Sequence, residues 1–331
     1  MSETASRVRI PSLPPKWYNF YMVNQIFIFI VSLFFVIKGA TLATKHASGL
    51  AQAFRLSKYT VGFLIVAVIS ILPETFISIN AAINGIPSFG MGMLFGSNIA
   101  DLTLIFAILI FYAGRGLKVE SKIIKNHVMY PFLLLIPIVL GLDGHFTRVE
   151  GIVLILAGVV FYFQALREET PEAAAKLVKS GSHLQNGAML ILSMALLLAG
   201  SHFTVTSASA IANSLNVSPI LIGMLIVGLG TTLPELFFSI QSIKKKDDSM
   251  AVGDILGTVL ADATIVVGIL ATIQPFAFPK NIIYVTGTFM LLASILLFHF
   301  MKSGRTITTR EAYILLFFWI TFIFAEIITG V

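Results

Sequence analysis

The stretch Gly62–Asp101 begins GFLIVAVISILPETFISIN and ends GMLFGSNIAD, and the chain contains it twice. The second copy, Gly223–Asp262, begins GMLIVGLGTTLPELFFSIQ and ends GDILGTVLAD. The copies align without a gap at a constant separation of 161 residues, which matches Glu74 with Glu235. Prolines, small residues and acids recur inside apolar sequence. A repeat that keeps these residues indicates duplication of a structural unit.

Composition predicts an all-α polytopic membrane protein. Hydrophobic residues make up 57% of the 331 positions and charged residues only 11%, against about 25% in soluble domains. Apolar runs of about 20 residues, the length that crosses a bilayer, follow one another with short polar breaks. The chain has no cysteine, which excludes disulfides and thiolate metal sites. It also shows no phosphate loop, nucleotide motif or catalytic triad, so we predict a transporter that is neither an enzyme nor driven by ATP.

The apolar runs predict two five-helix halves. A polar tail at 1–17, which lacks the apolar core of a signal peptide, precedes the first half at 18–166. A charged cytoplasmic connector at 167–186 separates it from the second half at 187–331. The predicted spans are 20–44, 60–84, 89–113, 127–142, 149–166, 187–212, 218–243, 249–273, 281–301 and 311–329. Because 149–166 is short, a count of eight or nine spans is the alternative.

Lysine and arginine placement predicts that the two halves are inverted. Loops on one side of the predicted membrane carry 16 of these residues and the opposite side carries 5. The positive-inside rule then places the basic loops in the cytoplasm and both termini outside the cell membrane. Because each half has an odd number of spans, five, the second copy crosses the membrane in the opposite orientation to the first. Inverted repeats are typical of transporters, whose sites lie near the midplane where the copies meet.

Four acids lie well inside the predicted spans: Glu74, Asp101, Glu235 and Asp262. An ionised carboxylate in hydrocarbon costs about 2.5–3.5 kcal/mol even on the insertion scale that gives the lowest values. Protonated acids that only make structural hydrogen bonds are the alternative interpretation. Four acids related by the repeat favour an ion pathway instead.

A proline directly precedes each glutamate of the repeat. Pro73 and Pro234 cannot donate a helical hydrogen bond, so carbonyls near 69–70 and 230–231 are released. The hydroxyls of Ser70, Thr231 and Thr232 lie in the same stretches. Released carbonyls, hydroxyls and carboxylates are the hard oxygen ligands that calcium takes. A plain proline kink without ligand function is the alternative.

Small residues and further acids accompany these motifs. Glycines at i and i+4 would let helices approach closely, bringing the aspartates against the glutamate helices; they are Gly92, Gly96, Gly253 and Gly257. We interpret Asp254 as a charge at a helix start that suits the helix dipole, or that draws cations towards the cytoplasmic mouth.

The pairing of ILPE with GSNIAD, and of TTLPE with GTVLAD, resembles the two alpha-repeats of the cation/calcium antiporter superfamily, and most closely those of prokaryotic sodium/calcium exchangers. The resemblance implies ten helices, with calcium held between Glu74 and Glu235 and helped by carbonyls near Ser70 and Thr231. It also implies alternating access through sliding of spans 1 and 6. The flanking sodium positions that it implies draw on Ala67, Ser70, Ser97 and Glu235 on one side, and on Gly228, Thr231, Thr232, Thr258 and Glu74 on the other.

Three departures from the family pattern leave the coupling ion open. Ile71 stands where the second copy has the hydroxyl of Thr232, and Asp101 stands where many members have asparagine. Asp101 and Asp262 would then bind sodium or carry protons. Lys38, inside span 1, is either a lysine that reaches the membrane surface or a charge partner of Asp101.

The sequence therefore predicts a secondary antiporter that exchanges calcium for sodium. The alternatives are a calcium/proton exchanger, a cation channel and an ion-sensing scaffold. We expect inorganic cations and membrane lipid as partners, no nucleic acid, no cofactor and function as a monomer.

Overall fold

The computed structural model describes residues 15–51, 70–119, 129–167 and 183–329, which form ten helical segments and four two-residue strands. The helices are α1 Pro15–Ala51, α2 Leu72–Ile83, α3 Pro87–Ala113, α4 Met129–Leu140, α5 Arg148–Arg167, α6 His183–Leu215, α7 Pro219–Lys244, α8 Asp248–Ile273, α9 Ile282–Gly304 and α10 Thr309–Thr329. Each lies on one of the ten predicted spans. The first half of the second span lies outside the described residues. Helix α1 begins inside the stretch predicted as a polar tail.

Seven described helices are long and apolar enough to cross a membrane, and Met129–Asp143 is a shorter apolar helix. The most enclosed are α3 and α8, with 83% of their apolar windows buried in the protein. The corresponding shares are 17% for α1 and 22% for α10. The prediction of an all-α polytopic membrane fold is therefore confirmed, with α3 and α8 at its centre and the apolar sides of α1 and α10 facing outward.

The duplication is visible in the backbone of the two copies. Helix α2 spans 72–83, and the last segment of α7 spans 233–244, 161 positions later. The first segments of α3 and α8 cover 87–100 and 248–261. Both are followed by a π-helical turn, Asp101–Ile105 in α3 and Asp262–Val266 in α8. Such turns are rare and often mark functional sites, and here each begins at an acid of the repeat.

The repeat also covers the starts of α5 and α10. The backbone N–H of Thr147 donates to Glu150 over 2.7 Å, and the Glu150 N–H donates to the Thr147 hydroxyl over 3.2 Å. Thr308 and Glu311, each 161 positions later, make the same pair of bonds at 2.6 and 3.4 Å. This reciprocal capping satisfies backbone donors that a helix start leaves free.

Two short antiparallel sheets join the halves. Strand β1 (Leu117–Lys118) pairs with β4 (Thr306–Ile307), and β2 (His145–Phe146) pairs with β3 (Phe276–Ala277). Each sheet takes one strand from each half of the chain. The loop after α3 is further fixed to the start of α8, because Arg115 donates to both oxygens of Asp248 at 2.7 and 2.8 Å. These hydrogen bonds raise the pKa of Arg115 above its ordinary value.

Glycines allow helices of opposite halves to touch. A Cβ at Gly39 of α1 would lie 3.1 Å from the Ser193 carbonyl oxygen of α6, and one at Gly200 of α6 would lie 3.0 Å from that of Ser32 in α1. Gly200 lies 161 positions after Gly39, and Ser193 lies 161 positions after Ser32, so the two contacts correspond and the α1–α6 interface is itself symmetric. At the centre, a Cβ at Gly96 of α3 would collide with the Met224 carbonyl of α7.

We predict that Gly96→Ala destabilises the protein by about 1–3 kcal/mol, the usual cost of overpacking. The new methyl group would force α3 and α7 apart at a backbone contact. Gly304→Ala is the matched control, because nothing lies within 4 Å of a Cβ at that position. Thermal unfolding of the detergent-solubilised protein measures both variants, and equal melting temperatures would contradict this packing.

Candidate cation site

Each glutamate of the repeat follows a break in its helix. Helical geometry is interrupted by a turn at Ile71 before α2 and at Thr232 within α7. The two turn residues have nearly the same backbone angles, φ −69° and ψ −4° at Ile71 and φ −76° and ψ −7° at Thr232. Pro73 and Pro234 follow within two residues and supply no N–H to the carbonyls one turn earlier. Irregular backbone at such depth is tolerated where protein or a cavity surrounds it.

The breaks place the two glutamates in the first turn of the segments that follow them. Glu74 is 1% exposed and Glu235 is fully buried. Asp101 and Asp262, at the starts of the π-helical turns, are equally enclosed. Two copies of the sequence thus deliver four buried carboxylates from four helices.

These carboxylates form one cluster. Glu235 experiences electrostatic repulsion from Glu74 and Asp101, and Asp262 experiences it from the same two acids. The Thr231 side chain of the second copy interacts with Glu74 of the first, and its hydroxyl donates to the Gly228 carbonyl at 3.0 Å. Since like charges in a medium of low dielectric constant repel strongly, the cluster needs positive charge to be stable when ionised.

Several oxygens of the cluster have no hydrogen-bond partner among the residues that the structure describes. One oxygen of Glu74 and both oxygens of Glu235, Asp101 and Asp262 make no hydrogen bond, and neither does the Thr258 hydroxyl. Leaving such groups buried and unsatisfied costs about 1–3 kcal/mol each, and more when they are charged. The unpartnered oxygens are therefore available to an ion.

The hydroxyls named from the sequence surround the same acids. The members that the structure describes are buried; they are Ser70, Ser97, Thr231, Thr232 and Thr258. A Cβ at Gly228 would lie 3.1 Å from both the Met93 carbonyl oxygen and the Ser97 backbone nitrogen, so α7 and α3 are in close contact beside them. Ala67, which the resemblance also implicates, lies outside the described residues.

Carboxylates alone do not complete a metal centre here. Within the described ranges, no three histidine, aspartate or glutamate side chains are grouped so that they could hold one metal ion. A cation bound by the cluster would take its remaining ligands from the hydroxyls and released carbonyls beside Glu74 and Glu235. Calcium accepts such mixed oxygen ligands.

Lys38 is not brought to the acids. Its side chain is exposed, and its Nζ lies 5.5 Å from the centroid of the Phe34 ring on the same helix. Neither oxygen of Asp101 has a hydrogen-bond partner. The hypothesis that Lys38 pairs with Asp101 is therefore wrong for this structure, since the lysine lies on the outward face of α1.

The prediction that Asp254 lies at the start of a helix is wrong. Helix α8 begins at Asp248, so Asp254 lies in its second turn and not at its start. The side chain is fully buried and accepts a hydrogen bond from Ser70 at 3.1 Å. Its distance of four residues from Thr258 and eight from Asp262, one face of a helix, was the signal that could have revealed it.

The arrangement as a whole defines a membrane carrier for cations. Inverted halves meet at a buried group of carboxylates and hydroxyls, and each half contributes matching residues. Such a site between repeats is the organisation of secondary transporters.

Comparison with known proteins assigns the family. The profile described as sodium/calcium exchanger protein matches residues 24–166 and 186–328. The chain is 32% identical to the putative antiporter CaxA of Alkalimonas amylolytica over 77% of its own length and 82% of that protein. It is 28% identical to the inner membrane protein YrbG of Escherichia coli K12, over 74% and 79% of the two chains. The protein belongs to the sodium/calcium exchanger family and is a calcium/cation antiporter.

A solved structure shares the fold. The sodium-calcium exchanger NCX_Mj, soaked with Na⁺ and Sr²⁺, superposes with a TM-score of 0.67 and 23% sequence identity. The match covers 91% of this chain and 97% of that one. The match confirms the predicted fold class; the expected family is confirmed by the profile match.

We predict that Glu235→Gln removes most of the stabilisation that a bound divalent cation confers. At about 100 times its dissociation constant, a ligand stabilises a protein by about 2.7 kcal/mol. The amide keeps the shape of the side chain but loses the charge that attracts the ion. Melting temperatures with and without calcium measure the effect.

Glu326→Gln is the control for this variant. Glu326 is also buried, with one oxygen that accepts a hydrogen bond from Thr286 at 2.6 Å and one oxygen without a partner among the described residues. It differs from the site acids in lying on α10, apart from the repeat motifs. A calcium response in Glu235→Gln equal to that of Glu326→Gln would refute the assignment of the site.

Proposed function

We propose that this antiporter exchanges calcium for sodium at the carboxylate cluster, moving calcium outward. The observation that carries the proposal is the pair Glu74 and Glu235, buried at matching helix breaks with three unpartnered oxygens between them. Calcium would bind between the two glutamates with help from the Ser70 and Thr231 segments. Calcium, a hard cation, prefers carboxylate, carbonyl and hydroxyl oxygens as ligands.

Sodium ions would occupy positions on either side of calcium and share its glutamates. On one side the proposed ligands are Ala67, Ser70, Ser97 and Glu235, and on the other Gly228, Thr231, Thr232, Thr258 and Glu74. Because both ions use the same carboxylates, they compete for one cluster. An empty cluster would cross the membrane centre with uncompensated charge, which is costly; this cost couples the two fluxes.

Helices α1 and α6 would slide over the remaining helices to change access. The two pack along each other through their symmetric glycines, and each contacts one of the broken helices. Leu33 of α1 lies against Gly230 beside the break in α7. Ser201 of α6 accepts a hydrogen bond from Asn80 of α2 at 2.7 Å. Movement of the pair would therefore reach both halves of the site.

Calcium/proton exchange is the second candidate, and the number of acids favours it. One calcium ion balances two charges, whereas the cluster contains Glu74, Asp101, Glu235 and Asp262, with Asp254 beside them. The oxygens of Asp101 and Asp262 have no hydrogen-bond partner in the described part of the chain, so these two acids would carry the protons. In that case Asp101→Asn would change the coupling.

The excess of lysine and arginine in the loops on one side supports the proposed orientation. We expect the cell membrane as the location, both termini outside, and a monomer as the transporting unit. The Arg115–Asp248 ion pair and the β1–β4 sheet would then lie on the cytoplasmic face.

Calcium-45 uptake into sodium-loaded proteoliposomes tests the coupling ion. We expect uptake that depends on the outward sodium gradient and is abolished by Glu74→Ala or Glu235→Ala. Parallel vesicles without sodium, loaded at acidic pH, give the proton arm.

Each arm has a distinct outcome. Uptake driven by the pH gradient without sodium would replace the sodium proposal by proton exchange. Calcium currents that need no counter-ion would show a channel. Calcium binding without uptake under any gradient would show a sensing scaffold.

A further inference from the structure

Matching faces of α3 and α8 point into the site but differ at one position. On α8 the face carries Asp254, Thr258 and Asp262, which are spaced by four residues and therefore stack on one side of the helix. The matching face of α3, 161 positions earlier, carries Met93, Ser97 and Asp101. All three of these side chains carry oxygen on α8, but only two of the three do so on α3.

Asp254 is enclosed and only half satisfied. It is fully buried, and one carboxylate oxygen accepts the Ser70 hydroxyl at 3.1 Å. The other oxygen has no partner. Within the described part of the chain no basic side chain pairs with it, since Arg115 is held by Asp248 at the start of α8. An ionised carboxylate is costly to bury unless an opposite charge or a metal ion accompanies it.

Electrostatics join Asp254 to the cluster. Repulsion from Asp254 reaches both Glu235 and Asp101. Its partner Ser70 lies four residues before Glu74, one helical turn from that proposed calcium ligand. Asp254 lies one turn before Thr258, in the direction of the basic loop that precedes α8. Ser70 and Asp254 thus lie one helical turn away from the central acids, on the side of the basic loop that precedes α8.

We propose that Asp254 is a cation ligand that extends the site by one helical turn towards the membrane face that carries the basic loop Lys244–Lys246. We call this the basic-loop face; the site is not extended towards the opposite face. The bound species is the hard divalent cation that the transporter carries, so the inference rests on the proposed exchange of calcium. Met93 occupies the matching position on the other side, is fully buried, and offers a thioether, which hard cations do not favour as a ligand. Calcium therefore meets a higher affinity from one side of the membrane than from the other.

Isothermal titration of the purified full-length protein with calcium tests the ligand role directly. Asp254→Asn keeps the shape and an acceptor for Ser70 but removes the charge. We expect its dissociation constant to rise about tenfold, equivalent to about 1.4 kcal/mol. Glu326→Gln, the same chemical change at another buried carboxylate, is expected to bind calcium as the wild type does.

The sidedness is measured in proteoliposomes sorted by orientation. Asp254→Asn is expected to raise the half-saturating calcium concentration about tenfold on the basic-loop face, with a change of less than about twofold on the opposite face. Asp254→Glu keeps the charge and is expected to retain most of the wild-type affinity.

Three results would overturn the inference. They are an unchanged affinity in Asp254→Asn, an equal loss on both faces, and a loss in Asp254→Glu as large as that in Asp254→Asn. Failure of the wild type to bind or transport calcium would instead refute the proposed function, so the two ideas fail separately.

Discussion

Everything in this structure depends on the cost of holding negative oxygens where water is scarce. Glu74 and Glu235 are buried in helices whose surroundings are mostly apolar, and three of their four oxygens have no hydrogen-bond partner among the described residues. A fold would not keep such groups for stability, because replacement by apolar residues would remove the cost. In the proposed exchange, cations bind to these carboxylates in turn and neutralise their charge.

The sequence revealed most of the architecture because its signals were long or duplicated. Ten apolar runs gave ten helices, and the predicted span 218–243 differs from α7 by one residue at each end. The four acids of the repeat converge because the duplication fixes their depth twice. Strands of two residues could not be predicted, since two residues carry no pattern. The capping pairs at 147–150 and 308–311 recur at the same separation of 161, a signal in the sequence that the predicted spans do not use.

Two charged residues show what sequence alone cannot settle. Lys38 and Asp101 both lie inside predicted apolar spans, but the rotation of α1 about its axis turns the lysine outward. Asp254 follows a polar loop closely, which suggested a helix start near the surface. Because α8 begins six residues earlier, this acid lies inside the protein against Ser70. Side-chain direction around a helix, and the exact first residue of that helix, decided both cases.

The two small sheets carry a consequence for how this chain arose. Strand β1 finds its partner in β4 and β2 finds its partner in β3, so each sheet is completed only by the opposite half. A single half standing alone would expose unpaired strand backbone at both faces of the bilayer. An unduplicated ancestor with these strands would have needed a second subunit inserted in the opposite orientation. Pairing of strands across the halves is the arrangement expected of two identical subunits that insert in opposite orientations and are joined into one polypeptide.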